Sequence, residues 1–97
     1  MANTRAGNVI RVDTSANFTD VREIHTIKFI GHSSVVAGEV TVTAGVAAAD
    51  NSGHLLWDNG NVTTSDIVDH DLGLQCGDGV YVNVAHGAVI YLYLGCD

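Results

Sequence analysis

The stretch that most constrains this chain is Gly79-Val80-Tyr81-Val82-Asn83-Val84-Ala85-His86-Gly87-Ala88-Val89-Ile90-Tyr91-Leu92-Tyr93-Leu94. Apolar residues recur at every second position on both sides of Ala85-His86-Gly87, the period of a strand. The simplest reading is a C-terminal β-hairpin closed by a three-residue loop, with glycine supplying positive φ at the third loop position. That register sets Val84 opposite Ala88, Val82 opposite Ile90 and Val80 opposite Leu92. One face is then wholly apolar, with Leu94 at its end. The other carries Tyr81 opposite Tyr91, Asn83 opposite Val89 and Gly79 opposite Tyr93. A register shifted by one residue mixes valines with tyrosines on both faces. The ribbon is therefore oily toward a core and phenolic on its other side.

The rest of the chain supports an all-β fold. It has 97 residues, 11 glycines, no proline and a hydrophobic fraction of 46%. Strands are expected at Asn8–Asp13, Val21–Ile30, Glu39–Ala44, His54–Trp57 and Val62–Leu72, besides the two arms of the ribbon. Turn signals fall at Gly31-His32-Ser33-Ser34, Asp58-Asn59-Gly60-Asn61 and Gln75–Gly79. About seven strands at this spacing make a single antiparallel β-sandwich of jelly-roll type. Residues 1–7 read as a mobile N-terminal arm, Thr14–Asp20 as a connector that tucks Phe18 under a sheet edge, and residues 47–53 as a connector. Within Val21–Ile30 neither alternating side is purely apolar.

Charge narrows the function. The net charge is −7, and the only basic residues are Arg5, Arg11, Arg22 and Lys28. Nucleic-acid binding needs clustered lysine and arginine, so neither a nucleic-acid nor an anionic-membrane partner is expected. The N-terminus has no apolar signal core and no stretch reaches the ~20 residues of a spanning helix, so synthesis and assembly in a cytoplasm are expected.

Chemistry-bearing residues are sparse in pattern. His25, His32, His54, His70 and His86 contain no i, i+2 or i, i+4 pair, so no metal site and no cofactor is expected. Asp66, Asp69, His70 and Asp71 form an acidic cluster. On a strand Asp69 and Asp71 would share a face, which could seat a cation or supply two carboxylates for glycoside hydrolysis. A solvated acidic loop is the plainer reading. Cys76 and Cys96 fall opposite each other in the hairpin register, where a disulfide and two reduced thiols are both open. Trp57 is read as a core residue, with an interface anchor as the alternative. Tyr81, Tyr91 and Tyr93, with Val89 beside them, are the better candidates for a protein contact, the alternative being that the other sheet or the N-terminal arm covers these rings.

The opening Met1–Asp13 and the closing Gly79–Val82 and Val89–Leu94 resemble a group of small β-sandwich virion structural proteins of tailed bacteriophages. The middle, from Ile24–Gly31 to Leu55-Leu56-Trp57, is compatible with that pattern; the histidine-bearing turns and the cysteines lie outside it. The resemblance implies a non-enzymatic capsid decoration (cement) protein on the virion surface. It would act as a homo-oligomer, a trimer, and stabilise the head by binding the major capsid protein. The tyrosine face of Tyr81, Tyr91, Tyr93 and Val89, or the basic N-terminal arm with Arg5 and Arg11, would make the contact. The alternative is a tail, neck or host-adhesion module that binds a glycan. A hydrolase using Asp69 and Asp71 is the enzymatic alternative.

Overall fold

The computed structural model describes residues 3–44, 54–76, 79–84 and 87–94. Among them are ten strands in chain order: β1 (Thr4–Ala6), β2 (Val9–Val12), β3 (Ala16–Phe18), β4 (Glu23–Ile30), β5 (Thr41–Ala44), β6 (His54–Asp58), β7 (Ile67–Asp69), β8 (Leu74–Gln75), β9 (Val80–Asn83) and β10 (Val89–Leu94). They form two antiparallel sheets. The six-stranded sheet runs β1-β2-β10-β4-β7, with β8 also paired to β4; the four-stranded sheet runs β3-β9-β5-β6. The all-β sandwich expected from composition and periodicity is the fold found, with more and shorter strands than seven. No helix among the described residues is long and apolar enough to cross a membrane.

The core lies between the sheets. Ile10, Val12, Ile24, Ile27, Phe29, Ile90 and Leu92 enter it from the larger sheet, and Val42, Trp57, Val80 and Val82 from the smaller. Phe29 and Trp57 meet across it, with ring centroids 6.2 Å apart and planes tilted by 47°, an arrangement aromatic pairs favour.

The C-terminal hairpin is not formed. β9 lies in the smaller sheet between β3 and β5, and β10 lies in the larger sheet between β2 and β4. The two arms face each other across the core instead of sharing a ladder. Either arrangement buries the same alternating residues, so Val80, Val82, Val84, Ala88, Ile90 and Leu92 are all buried as expected. The link is long enough to cross: chain extends at most ~3.6 Å per residue, so Val84 to Ala88 reaches about 14 Å, against the ~10 Å between packed sheets. The groups at the end of β9 that a hairpin would satisfy find other partners. Val84 N–H donates to Ser15 Oγ at 2.9 Å, and the Val84 carbonyl accepts from the same hydroxyl at 3.1 Å.

Two further segments differ from expectation. The supposed mobile arm contains β1, which pairs with β2 through Ala6 opposite Val9 around Gly7-Asn8. Gly7 supplies a φ of +60° in that turn. Asn3 Oδ1 accepts from the backbone N–H groups of Asp13 (2.9 Å) and Thr14 (3.0 Å). The connector around Phe18 contains β3, an edge strand on β9. In β4 the mixed pattern has a geometric cause. Tyr93 pairs with Thr26 and Leu94 with Ile24, so β4 carries one extra residue, His25, at a bulge. The bulge resets the alternation and lets Ile24 and Ile27 both point into the core, each fully buried. The expected strand Val62–Leu72 is reduced to β7, and the 47–53 connector lies outside the described residues.

Cys76 is 1% exposed and its Sγ lies 3.7 Å from the Leu74 carbonyl oxygen. Cys96 lies outside the described residues, and the register that opposed the two cysteines goes with the hairpin. Burial pushes the Cys76 thiol above its ordinary range, reinforced by the Glu23 charge and opposed by Arg22. A thiol raised in the folded state keeps its proton there longer than in the unfolded chain. Its contribution is therefore present below the unfolded thiol value of about 8.5 and is lost as pH rises through the native one. Urea unfolding should show a larger loss of stability between about pH 8 and pH 10 for the wild type than for Cys76→Ala. Equal losses would mean that the thiol is not held neutral by the fold.

Candidate functional site

Along β10, Ile90 and Leu92 point into the core, so Val89, Tyr91 and Tyr93 stand on the outer face of the larger sheet. Directly opposed residues share a face. Register therefore builds one continuous row across five strands: Thr4, Arg11, Tyr91, Lys28 and Val68. The next row holds Ala6, Val9, Tyr93 and Thr26, and Val89 sits opposite Ile30.

The first row places a phenol between two cations. Lys28 Nζ lies 5.9 Å from the Tyr91 ring centroid, within cation–π range. Arg11 is opposite on the other side and donates to Asp13 Oδ2 at 2.8 Å. The Asp13 hydrogen bond, and after it one with the Tyr91 phenol, holds the Arg11 guanidinium above its ordinary range. Tyr91 and Tyr93 stack with centroids 6.5 Å apart and planes 27° from parallel. Both are half-buried. The resulting surface sets two cations beside stacked aromatic rings on a chain of net charge −7.

No protein-family model, curated protein or solved structure matches this chain.

The geometry of the face unites Tyr91, Tyr93, Val89 and Arg11, and separates them from the other two sequence candidates. Tyr81 belongs to β9, opposite Asn17 and Thr43 on the outer side of the smaller sheet. It is only 9% exposed. Arg5 lies opposite Ile10, hence on the inward side of β1. Its Nη1 is 2.6 Å from Asp20 Oδ2, in a polar depression lined also by Arg22 and Glu23. Lys28, Thr26 and Val68 join the face without having been singled out in the sequence. Their alternation was visible, but nothing local shows that β4 neighbours β10.

The acidic cluster is dispersed. Asp66 Oδ1 accepts the Gly31 N–H at 3.3 Å. Asp69 Oδ2 accepts the Trp57 indole N–H at 2.7 Å. Asp71 lies past the end of β7 with φ of +55°, and its Oδ1 is 3.1 Å from His25 Nε2. The strand ends at Asp69, so the shared face expected for Asp69 and Asp71 is not produced. Among the described residues no three histidine, cysteine or acidic side chains are grouped to hold a metal.

Trp57 is a core residue, 8% exposed. It depends on Asp69 for its only polar atom, because a buried indole N–H needs an acceptor. Asp69→Ala is expected to cost about 1–3 kcal/mol and to shift the emission of the single tryptophan. Asp69→Asn, which keeps an acceptor oxygen, should recover most of that loss in urea unfolding followed by fluorescence. An unshifted emission in Asp69→Ala would exclude the hydrogen bond.

Proposed function

We propose that this protein is a non-enzymatic structural protein of a bacteriophage particle, a capsid decoration protein that docks through the outer face of its larger sheet. The observation that carries the docking face is the row Arg11–Tyr91–Lys28, flanked by Tyr93 and Val68. Tyrosine and arginine are the residues that protein contacts concentrate, because each combines large contact area with polar tips. The phage setting rests on the resemblance of the chain's two ends to virion β-sandwich proteins.

The mechanism is burial of the aromatic platform against the major capsid protein. Contacts repeated over many copies would let each be weak while the shell as a whole is held. The test is co-sedimentation with undecorated heads of the phage that encodes the chain, with copy number read by quantitative mass spectrometry. Hundreds of copies per head are expected on this reading, in line with the multivalent mechanism. A dozen or fewer would place the protein in the tail or neck, and no binding would remove the decoration role.

A further inference from the structure

The docking face is not flat at its β4–β7 end. His25, Thr26, Lys28, Val68, His70 and Tyr93 line an open pocket of about 440 Å³. We infer that this pocket receives an acidic side chain, aspartate or glutamate, projected by the docking partner. The inference rests on the docking role proposed above and names what the partner must supply.

Three observations converge on a carboxylate. First, among the described residues Lys28 has no carboxylate within ion-pair distance, whereas Arg5 and Arg11 hold Asp20 and Asp13. The Lys28 contact among the described residues is the Tyr91 ring, 5.9 Å to the centroid, which leaves the ammonium without a neutralising carboxylate at the pocket on a protein of net charge −7. Second, the walls suit the stem of an acidic side chain. Val68, 46% exposed, and the half-buried Tyr93 offer apolar surface to methylene groups, while Lys28 offers charge to the head. Third, the polar side chains at the lining besides Lys28 and the Tyr93 phenol are two imidazoles and a hydroxyl, with no carboxylate.

His25 is held in place, with Nδ1 2.7 Å from Thr26 Oγ1 and Nε2 3.1 Å from Asp71 Oδ1. The Asp71 carboxylate that His25 reaches is thereby already engaged, and its side chain is 86% exposed. An incoming carboxylate meets Lys28 across a lining that has no acid of its own. A charged hydrogen bond between ammonium and carboxylate, partly shielded by Tyr93, is stronger than a neutral one.

The experiment titrates isotope-labelled protein with N-acetyl-glutamate N-methylamide and, separately, with the glutamine analogue, following backbone and side-chain resonances. The glutamate probe should move the signals of His25, Lys28, Val68, His70 and Tyr93. The glutamine probe should move them several-fold less. In Lys28→Gln the glutamate response should fall to the glutamine level. Equal responses to the two probes, no response, or a response that survives Lys28→Gln would each overturn the inference. Sedimentation of the free protein supplies another arm: an oligomer that Lys28→Gln dissociates would make the occupant a second copy of this chain and overturn the assignment to a partner. Failure here is distinguishable from failure of the docking role. If wild type and Lys28→Gln sediment equally well with heads, only the carboxylate pocket is wrong; if wild type does not sediment at all, the docking role is wrong.

Discussion

Alanine at Gly79 is expected to destabilise the protein by about 3–5 kcal/mol, the combined scale of a strained backbone and an overpacked contact. Gly79 has a φ of +119°, and a Cβ there would stand 2.6 Å from the Phe18 carbonyl oxygen and 2.8 Å from Thr19 Cα. Both obstacles are backbone of the chain at β3, so neither can swing aside. A suitable control is Gly73→Ala, where φ is +58° but nothing lies within 4 Å. That change carries backbone strain alone, about 1–2 kcal/mol. Urea unfolding of the two variants separates strain from collision. The comparison also discriminates between topologies. The collision exists only where the backbone at the end of β3 lies against the start of β9. Equal costs for the two variants would therefore contradict the pairing of β3 with β9.

The second large effect concerns docking. Tyr91→Ala combined with Tyr93→Ala should weaken co-sedimentation with heads by about 30-fold or more, the loss expected when central aromatic anchors are removed. Arg5→Ala should leave binding unchanged, because its guanidinium is paired with Asp20 away from the tyrosines. Tyr81→Phe should also leave it unchanged, since Tyr81 stands on the opposite sheet. Thermal unfolding of each variant establishes that the fold survives. A large loss from Arg5→Ala or Tyr81→Phe, with the tyrosine pair dispensable, would move the contact to another surface.

How much of this was legible in the sequence follows from what alternation encodes. Period-two patterning says which side chains turn inward, and it did so correctly for all six inward residues from Val80 to Leu92. It does not say which strand lies beside which, because that depends on contacts far apart in the chain. β10 takes its neighbours from β2 and β4, and no local signal announces either. The tyrosine face survived this error in part. Tyr91 and Tyr93 sit on one strand, so their relation depends only on the i, i+2 spacing. Tyr81 was attached through the mistaken hairpin register and drops away. Lys28 enters the face for the converse reason: its place beside Tyr91 follows from a pairing that only the assembled sheet displays. The bulge at His25 hid the core side of β4 by the same logic, since one inserted residue inverts the alternation on one side of it.

Asn59 shows a turn signal with a second role. Asp58-Asn59-Gly60 does form a turn, with Asp58 Oδ1 accepting the Gly60 N–H at 2.8 Å. Yet Asn59 is 1% exposed. Its Oδ1 accepts the Val40 N–H at 3.1 Å, and its Nδ2 donates to the Val62 carbonyl at 2.7 Å. The side chain ties the entrance of β5 to the loop after β6. The residue type was informative about the turn and silent about the burial.

The most direct measurement is hydroxyl-radical footprinting of the tyrosines, read by mass spectrometry on the free protein and on the protein bound to heads. Tyr91 and Tyr93 are expected to be labelled when free and protected when bound, with Tyr81 weakly labelled in both. Equal labelling of Tyr91 and Tyr93 in the two states would show that the larger sheet's outer face is not where this protein docks.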